Sequence, residues 1–158
     1  MAREIVIAWV GRHLRDPWEQ LCADYRQRIG HRVLVREVQV KVRPGGDDAV
    51  RRRDEGKALL AALPPRCWIV AVDRRGKARS SPEMARWLTQ VRTDWPHPLA
   101  FLIGSDVGFD EVVRQQARES ISFGPMTLPH ELARLVLYEQ IYRALCIEAG
   151  IKYHRQPL

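Results

Sequence analysis

The sequence predicts an α/β protein with an open, mostly parallel sheet flanked by helices. Segments typical of strands alternate with segments typical of helices along nearly the whole chain. Two of the strand segments, 67–73 and 99–104, are almost continuously apolar, as expected of strands buried on both faces of a parallel sheet. The length of 158 residues fits one domain with its own core, and we find no internal repeat or linker that would divide it.

Each element has its own signal in the sequence. The strand segments are β-branched, alternating or continuously apolar. They span residues 4–10, 32–40, 67–73, 99–104 and 121–124. The helical segments begin at capping residues, at a proline in the first turn or directly after a loop. They run from Asp16 and Pro17 to about Arg28, from Asp47 or Asp48 to Leu63, from Ser81 to before Pro96, from 110 to 120 and from 132 to 149.

The last predicted helix is apolar on nearly all sides. Its apolar residues are Leu132, Leu135, Val136, Leu137, Tyr138, Ile141, Tyr142, Leu145, Cys146 and Ile147. A helix with so little polar surface is hard to cover within one small domain. We therefore expect part of it to pack on a second copy in a symmetric homodimer, with complete burial inside its own subunit as the alternative.

The chain is basic. Twenty-six Lys and Arg residues against nineteen Asp and Glu residues give a net charge of +7. Arginine predominates, including the run Arg51-Arg52-Arg53, and its planar guanidinium suits bidentate contact with phosphate. A polyanionic partner such as RNA is therefore plausible, and an ordinary solvated surface is the alternative.

Several classes of protein are not indicated. No apolar run approaches the roughly 20 residues of a membrane span, and the start of the chain does not resemble a signal peptide. The three widely spaced cysteines form no CxxC pair, which favours a reduced, cytoplasmic location. We find no HExxH motif or Cys/His cluster, so no metal is expected.

Three loops directly after predicted strands carry the candidate binding residues. They span 72–77, 104–108 and 123–130. Loops at the carboxyl ends of parallel strands converge at one edge of the sheet, where ligands bind. None of the three matches a phosphate-binding loop or the GxGxxG fingerprint, so a generic nucleotide-binding enzyme is not favoured.

The C-terminal half carries a more specific pattern. The segment FLIGSDVGFD is followed by TLPHELARLVLYEQIYRA and then by YHR. This pattern resembles the SPOUT methyltransferases, and more narrowly the small bacterial family that methylates N3 of a pseudouridine in large-subunit ribosomal RNA. The resemblance covers essentially the full length and is most specific over 127–155. It implies one SPOUT domain over 1–158, a trefoil knot over about 67–158 and a homodimer.

The resemblance also implies the site. S-adenosylmethionine is expected in the three loops. Its expected contacts are Val72, Gly104, Phe123, Gly124, Pro125, Met126, Thr127 and Leu128. The catalytic candidates are Tyr153, His154, Arg155, His130 and Arg143.

The roles of these candidates follow from the chemistry of the acceptor. N3 of pseudouridine is an imide nitrogen and must lose its proton to become a good nucleophile. His154 or His130 is expected to relay that proton. Tyr153 is expected to contact the base and Arg155 a phosphate or a uracil carbonyl. Arg143 is expected to orient the tail or the RNA.

Two alternatives stay open, and one loop departs from the family pattern. The alternatives are a SPOUT enzyme acting on transfer RNA or another ribosomal nucleotide, and a non-catalytic RNA-binding factor in ribosome assembly. Where the family usually has Gly-Gly-Pro-Glu-Gly, this chain has GSDVG at 104–108. Because the proline is absent, we expect a less rigid loop.

Overall fold

A computed structural model describes residues 2–11, 16–43 and 45–155, with only the backbone at 154 and 155. The strands are β1 (Glu4–Val10), β2 (Leu34–Val40), β3 (Trp68–Ala78), β4 (Leu99–Ile103) and β5 (Glu119–Ser122). The helices are α1 (Trp18–Gly30), α2 (Asp48–Ala62), α3 (Ser81–Asp94), α4 (Glu111–Gln116) and α5 (His130–Glu148), followed by a 3-10 helix at Lys152–Arg155. The sheet order is β2-β1-β4-β3-β5 and every pair is parallel, which confirms the predicted fold class.

Helices cover both faces of the sheet because side chains alternate along its buried strands. On β1, Ile5, Ile7 and Trp9 join a core cluster formed with α1, α3 and α5. Ala8 and Val10 of the same strand join a second cluster formed with α2 and α4. The result is a three-layer arrangement in which α5 lies beside α1 and α3.

β3 is longer than predicted, because it bulges instead of ending after residue 73. Val72 and Lys77 both lie opposite Ile121 of β5, so residues 73–76 leave the ladder before pairing resumes. Gly76 makes this possible, since a Cβ there would lie 2.5 Å from the carbonyl carbon of Ser120. The first predicted loop is therefore a bulge inside a strand and not a strand-to-helix connection.

Helix α2 has the predicted cap, and α3 begins at Ser81 as predicted, with Ser80 as its cap. Ser80 and Glu83 form a reciprocal capping box at α3, and Asp47 caps α2 by accepting from the Val50 amide at 2.9 Å. The predicted Asp16 cap of α1 is wrong: Pro17 occupies the N-cap position without a side-chain hydrogen bond. Helix α4 ends at Gln116, earlier than predicted, because residues from Glu119 onward pair with β3.

Helix α5 is covered on part of its circumference by its own chain. Leu137, Tyr138 and Ile141 are completely buried in the core. Other apolar side chains of the helix are only half-buried, namely Leu132, Leu135, Val136, Tyr142 and Ile147. None of the helices in the described part of the chain is long and apolar enough to cross a membrane.

Candidate functional site

A crevice of about 1110 Å³ opens at the β3 bulge and the carboxyl ends of β4 and β5. All three predicted loop segments contribute to its walls, together with the first turns of α5 and α2. The predicted cofactor residues that line it are Val72, Gly104, Phe123, Gly124, Met126, Thr127 and Leu128. Pro125 is exposed and is not part of the lining. One cavity thus collects residues from three separate stretches of sequence.

Glycines shape the backbone of this crevice. Gly124 has φ +116° and Gly108 has φ +74°, a region that side-chain-bearing residues rarely adopt. At Gly104 a Cβ would lie 3.3 Å from Phe109 Cε1 and 3.4 Å from the Gly108 carbonyl. Backbone groups therefore stand close to the cavity, while the neighbouring Ile103 side chain supplies an apolar floor.

The β3 bulge forms one side of the crevice mouth. Asp73 turns inward, where it accepts hydrogen bonds from the Arg75 amide at 3.0 Å and from Arg114 Nη2 at 3.1 Å. Burial alone would raise the pKa of Asp73, but these bonds outweigh it and hold the pKa below its usual value. Arg74 and Arg75 are exposed, and Arg74 Nη1 lies 3.5 Å from Thr127 Oγ1.

The opposite wall contains the GSDVG loop, which contacts α2. Arg51 Nη2 donates to Asp106 Oδ1 at 2.9 Å, and Arg52 Nη1 lies 3.5 Å from the Val107 carbonyl oxygen. Only Arg53 of the predicted basic run is fully exposed. Two of the arginines expected to face a polyanion are thus engaged with a crevice loop.

Of the catalytic candidates whose side chains the structure describes, His130 lines the crevice, and Arg143 and Tyr153 do not. His130 is the first residue of α5 and lines the cavity with a side chain that is 44% exposed. Its Nε2 lies 3.1 Å from Glu131 Oε1. An imidazole at this position can exchange protons with a bound substrate and with solvent.

Tyr153 lies in a different place, packed on α1 and α5. Its ring centroid is 4.8 Å from that of Tyr142, and its hydroxyl is 3.4 Å from the Tyr25 hydroxyl. The hydroxyl also donates to Glu139 Oε1 at 3.3 Å, and the Arg143 guanidinium lies over the ring at 4.9 Å. Burial and the Tyr25 contact raise the pKa of Tyr153 above its ordinary value, so the phenol stays neutral.

We call Tyr25, Glu139, Tyr142, Arg143 and Tyr153 the C-terminal cluster. Along α5, Glu139 follows His130 by two and a half turns, or about 14 Å at 1.5 Å per residue. Within one chain the candidates therefore form two groups: His130 with the cofactor loops, and Tyr153 with Arg143. The side chains of His154 and Arg155 lie outside the described residues.

Sequence reasoning missed an ion-pair centre between α5 and β2. Arg134 lies one turn after His130 and is 2% exposed. It pairs with Glu37 of β2, and its guanidinium carbon lies 3.5 Å from the centroid of the Trp9 ring. The Tyr138 hydroxyl donates to the same carboxylate at 2.6 Å. The sequence signal for this centre is Arg134 itself, a single arginine on an otherwise apolar face of the helix. This centre fixes α5 against β1 and β2.

None of the three cysteines lines the crevice. Cys22 and Cys146 are buried, and burial raises the pKa of Cys22 and of Cys67 to about 11, which keeps these two thiols protonated. Within residues 2–11, 16–43 and 45–155, no three His, Cys, Asp or Glu side chains are grouped so that they could hold a metal ion.

The sequence is similar to known proteins over most of its length. Residues 3–154 match the family model described as "Predicted SPOUT methyltransferase". A protein of Rhodospirillum centenum named "Ribosomal RNA large subunit methyltransferase H" is 42% identical over 149 residues, which is 94% of this chain and 97% of the relative. Proteins with the same name are 41% identical in Dinoroseobacter shibae, over 96% of this chain and 99% of the relative, and 40% identical in Solidesulfovibrio magneticus, over 89% and 92%. The match over nearly the whole chain, together with the parallel sheet, shows that this protein belongs to the SPOUT methyltransferase family.

Proposed function

We propose that this chain transfers a methyl group from S-adenosylmethionine to N3 of a pseudouridine in large-subunit ribosomal RNA, as a homodimer in the cytoplasm. The observation that carries the proposal is the convergence of three sequence-distant loops on one crevice. The relatives named "Ribosomal RNA large subunit methyltransferase H" support the substrate class. The trefoil knot over about 67–158 is part of the same proposal.

The crevice residues fit the proposed cofactor. Ligand pockets commonly measure roughly 300–1,000 Å³. A crevice of about 1110 Å³ therefore has room for the cofactor and for part of a substrate base. Apolar side chains at Val72, Ile103, Phe123 and Leu128 suit a purine ring, and the glycine-bounded loops let backbone groups approach its polar atoms. When bound, the cofactor supplies an electrophilic methyl group on a sulfonium centre.

The protein's own contribution is alignment and removal of the imide proton. His130 is on the crevice wall and partly exposed, so in its own subunit it is suited to accept that proton. His154 is the alternative base. A cation near the uracil carbonyls would stabilise the anion formed, and we assign that role to Arg155.

The proposed homodimer reconciles the two groups of candidates. The C-terminal cluster lies on α1 and α5 and does not line the crevice of its own chain. The tail therefore contributes to catalysis by reaching the crevice of a second copy. Half-buried apolar side chains of α5 provide a surface for that contact.

The exposed β3 bulge suits an RNA partner. Arg74 and Arg75 stand at the crevice mouth, and the nearest carboxylate, Asp73, is held by Arg114. Arg74 Nη1 lies 3.5 Å from Thr127 Oγ1 and Arg75 Nε lies 3.8 Å from Asp73 Oδ1. Both contacts are long, so these exposed guanidinium groups can still contact phosphates next to the target base. We assign RNA contact to this bulge in preference to Arg51 and Arg52, which bind the GSDVG loop.

One experiment tests the proposal against its alternatives. Purified protein is incubated with labelled S-adenosylmethionine and, separately, with assembled ribosomes, free ribosomal RNA and transfer RNA, and modified nucleotides are mapped by mass spectrometry. We expect label at N3 of a pseudouridine of the large subunit. Label on transfer RNA or on another ribosomal nucleotide would replace the proposed substrate, and failure to bind the cofactor by calorimetry would favour a non-catalytic RNA-binding factor.

A further inference from the structure

We propose that Glu55 of α2 is a positioning residue that holds the GSDVG loop, and with it one wall of the crevice, in a fixed conformation. It acts through Ser105 directly and through Arg51 and Asp106 indirectly. This inference rests on the proposed function, because the loop it positions is part of the proposed cofactor site. The loop departs from the family pattern at Ser105 and Asp106, two of the residues involved.

The contact between Glu55 and Ser105 is the centre of the network. Glu55 is 6% exposed. Ser105 Oγ lies 2.8 Å from Glu55 Oε2 and 3.0 Å from Oε1, so the hydroxyl donates to the carboxylate. Ser105 Oγ also lies 3.4 Å from the Val107 amide nitrogen, which donates to it. A buried carboxylate without such a donor would be unfavourable, so the pair stabilises one arrangement of the loop on the helix.

A second contact closes the network into a ring. Arg51 Nη2 donates to Asp106 Oδ1 at 2.9 Å and lies 3.8 Å from Glu55 Oε1. The Arg51 hydrogen bond holds the pKa of Asp106 below its usual value. Asp106 is 75% exposed, so this ion pair alone contributes little, and its effect depends on the buried pair beside it.

Helix α2 is a firm support because it packs closely on α4 at Gly56, the residue next to Glu55. At Gly56 a Cβ would lie 2.8 Å from Val113 Cγ2 and 2.9 Å from Asp110 Oδ1, so α2 approaches α4 and its cap as closely as glycine permits. Asp110 caps α4 by accepting from the Val113 amide at 3.0 Å. The loop is therefore bound to a helix that cannot shift toward α4.

The loop needs such a support because its own backbone is permissive. All residues from 104 to 108 line the crevice, glycines stand at both ends, and the proline usual in the family is absent. Ordering a glycine-bounded loop when a ligand binds costs conformational entropy. Side chains that order the loop beforehand remove that cost from binding, and they replace the rigidity that proline supplies elsewhere.

The test compares Ser105→Ala, Glu55→Ala and Glu55→Gln with the wild type. Calorimetry gives the Kd of S-adenosylmethionine, and hydrogen exchange without cofactor gives the protection of amides 105–108. We expect Ser105→Ala and Glu55→Ala to weaken cofactor binding at least about fivefold and to speed exchange in the loop. Glu55→Gln keeps an oxygen acceptor for Ser105, so it should restore most of the affinity.

Asp54→Ala is the matched control, because Asp54 is the exposed carboxylate next to Glu55 on the same helix. Asp54→Ala should change neither the Kd of S-adenosylmethionine nor the exchange of amides 105–108. If Glu55→Ala unfolds the protein, Ser105→Ala decides, since Ser105 is in a loop and outside the core clusters. Wild-type exchange rates in the Ser105→Ala loop would overturn the inference. Absence of cofactor binding by the wild type would instead overturn the proposed function, while the exchange data would still test the support of the loop.

Discussion

The crevice and the C-terminal cluster use the start and the middle of the same helix, α5, and they are held together by different means. The crevice takes His130 from the start of α5, and the three loop segments supply most of its other walls. The cluster takes Glu139, Tyr142 and Arg143 from further along α5 and adds Tyr25 and Tyr153 by ring contacts and hydrogen bonds. The crevice is suited to hold a ligand within one chain, whereas the partly buried side chains of the cluster contact one another.

The contrast implies a division of work that substitutions can separate. Changes in the crevice should alter the Kd of the cofactor. Changes in the cluster should alter turnover while leaving that Kd alone, because Tyr153 does not line the cavity of its own chain. A substitution in one region that produces the effect expected of the other would contradict the division.

Removal of residues 153–158 should give the largest effect. It takes away Tyr153, His154 and Arg155 together, and loss of acid–base and charge-stabilising groups commonly slows a reaction by roughly 100-fold or more. We expect methylation of ribosomes to fall by at least that factor. The Kd of S-adenosylmethionine, measured by calorimetry, should stay close to that of the intact chain. Normal methylation by the shortened protein would show that the tail has no catalytic role.

The two regions also differ in how well the sequence predicts them. The predicted strand segments 67–73 and 99–104 sufficed to place the segments after them at one sheet edge, because parallel strands share the direction of their carboxyl ends. The first of these segments is a bulge inside β3. The location of Tyr153 depends on how α1 packs beside α5, and its contact with Tyr25 spans 128 residues of sequence. Neither periodicity nor capping signals contain that information.

Long-range pairing explains the other differences in the same way. The bulge of β3 arises because the strand resumes pairing with Ile121 of β5 after residue 76. Arg51 donates a hydrogen bond to Asp106, which lies 55 residues later in the sequence. The arginine run that was expected to face RNA is therefore partly engaged in contacts within the protein. Strand and helix patterns are local and were predicted, whereas side-chain partners across elements were not.

A pair of glycine substitutions tests the same separation of crevice and C-terminal cluster, and we expect effects of intermediate size. Gly124 in the crevice and Gly150 after α5 both have positive φ, +116° and +74°. Alanine strains the backbone at both positions, and more at Gly124, whose φ lies well outside the left-handed helical region that Gly150 adjoins. Gly124→Ala should weaken cofactor binding roughly tenfold because it displaces the crevice loop. Gly150→Ala should leave that Kd unchanged and lower only the melting temperature and the rate that depends on the tail. Equal Kd values for the two variants would contradict the separation of the regions.

Tyr153→Phe should give the smallest effect, and its pH dependence is specific. The variant keeps the ring contact with Tyr142 but loses the hydroxyl near Tyr25 and Glu139, so it should be less stable by about 1 kcal/mol at neutral pH. Folding raises the pKa of Tyr153 above that of an unfolded tyrosine, which is about 10. Above that pH the unfolded chain loses a proton that the folded chain keeps, so stability from this hydroxyl decreases as pH rises. Urea unfolding at several pH values should therefore show the difference between wild type and variant shrinking above about pH 10. A difference that stays constant through that range would mean that the phenol of Tyr153 titrates alike in the folded and unfolded chain, and that the cluster does not bury it.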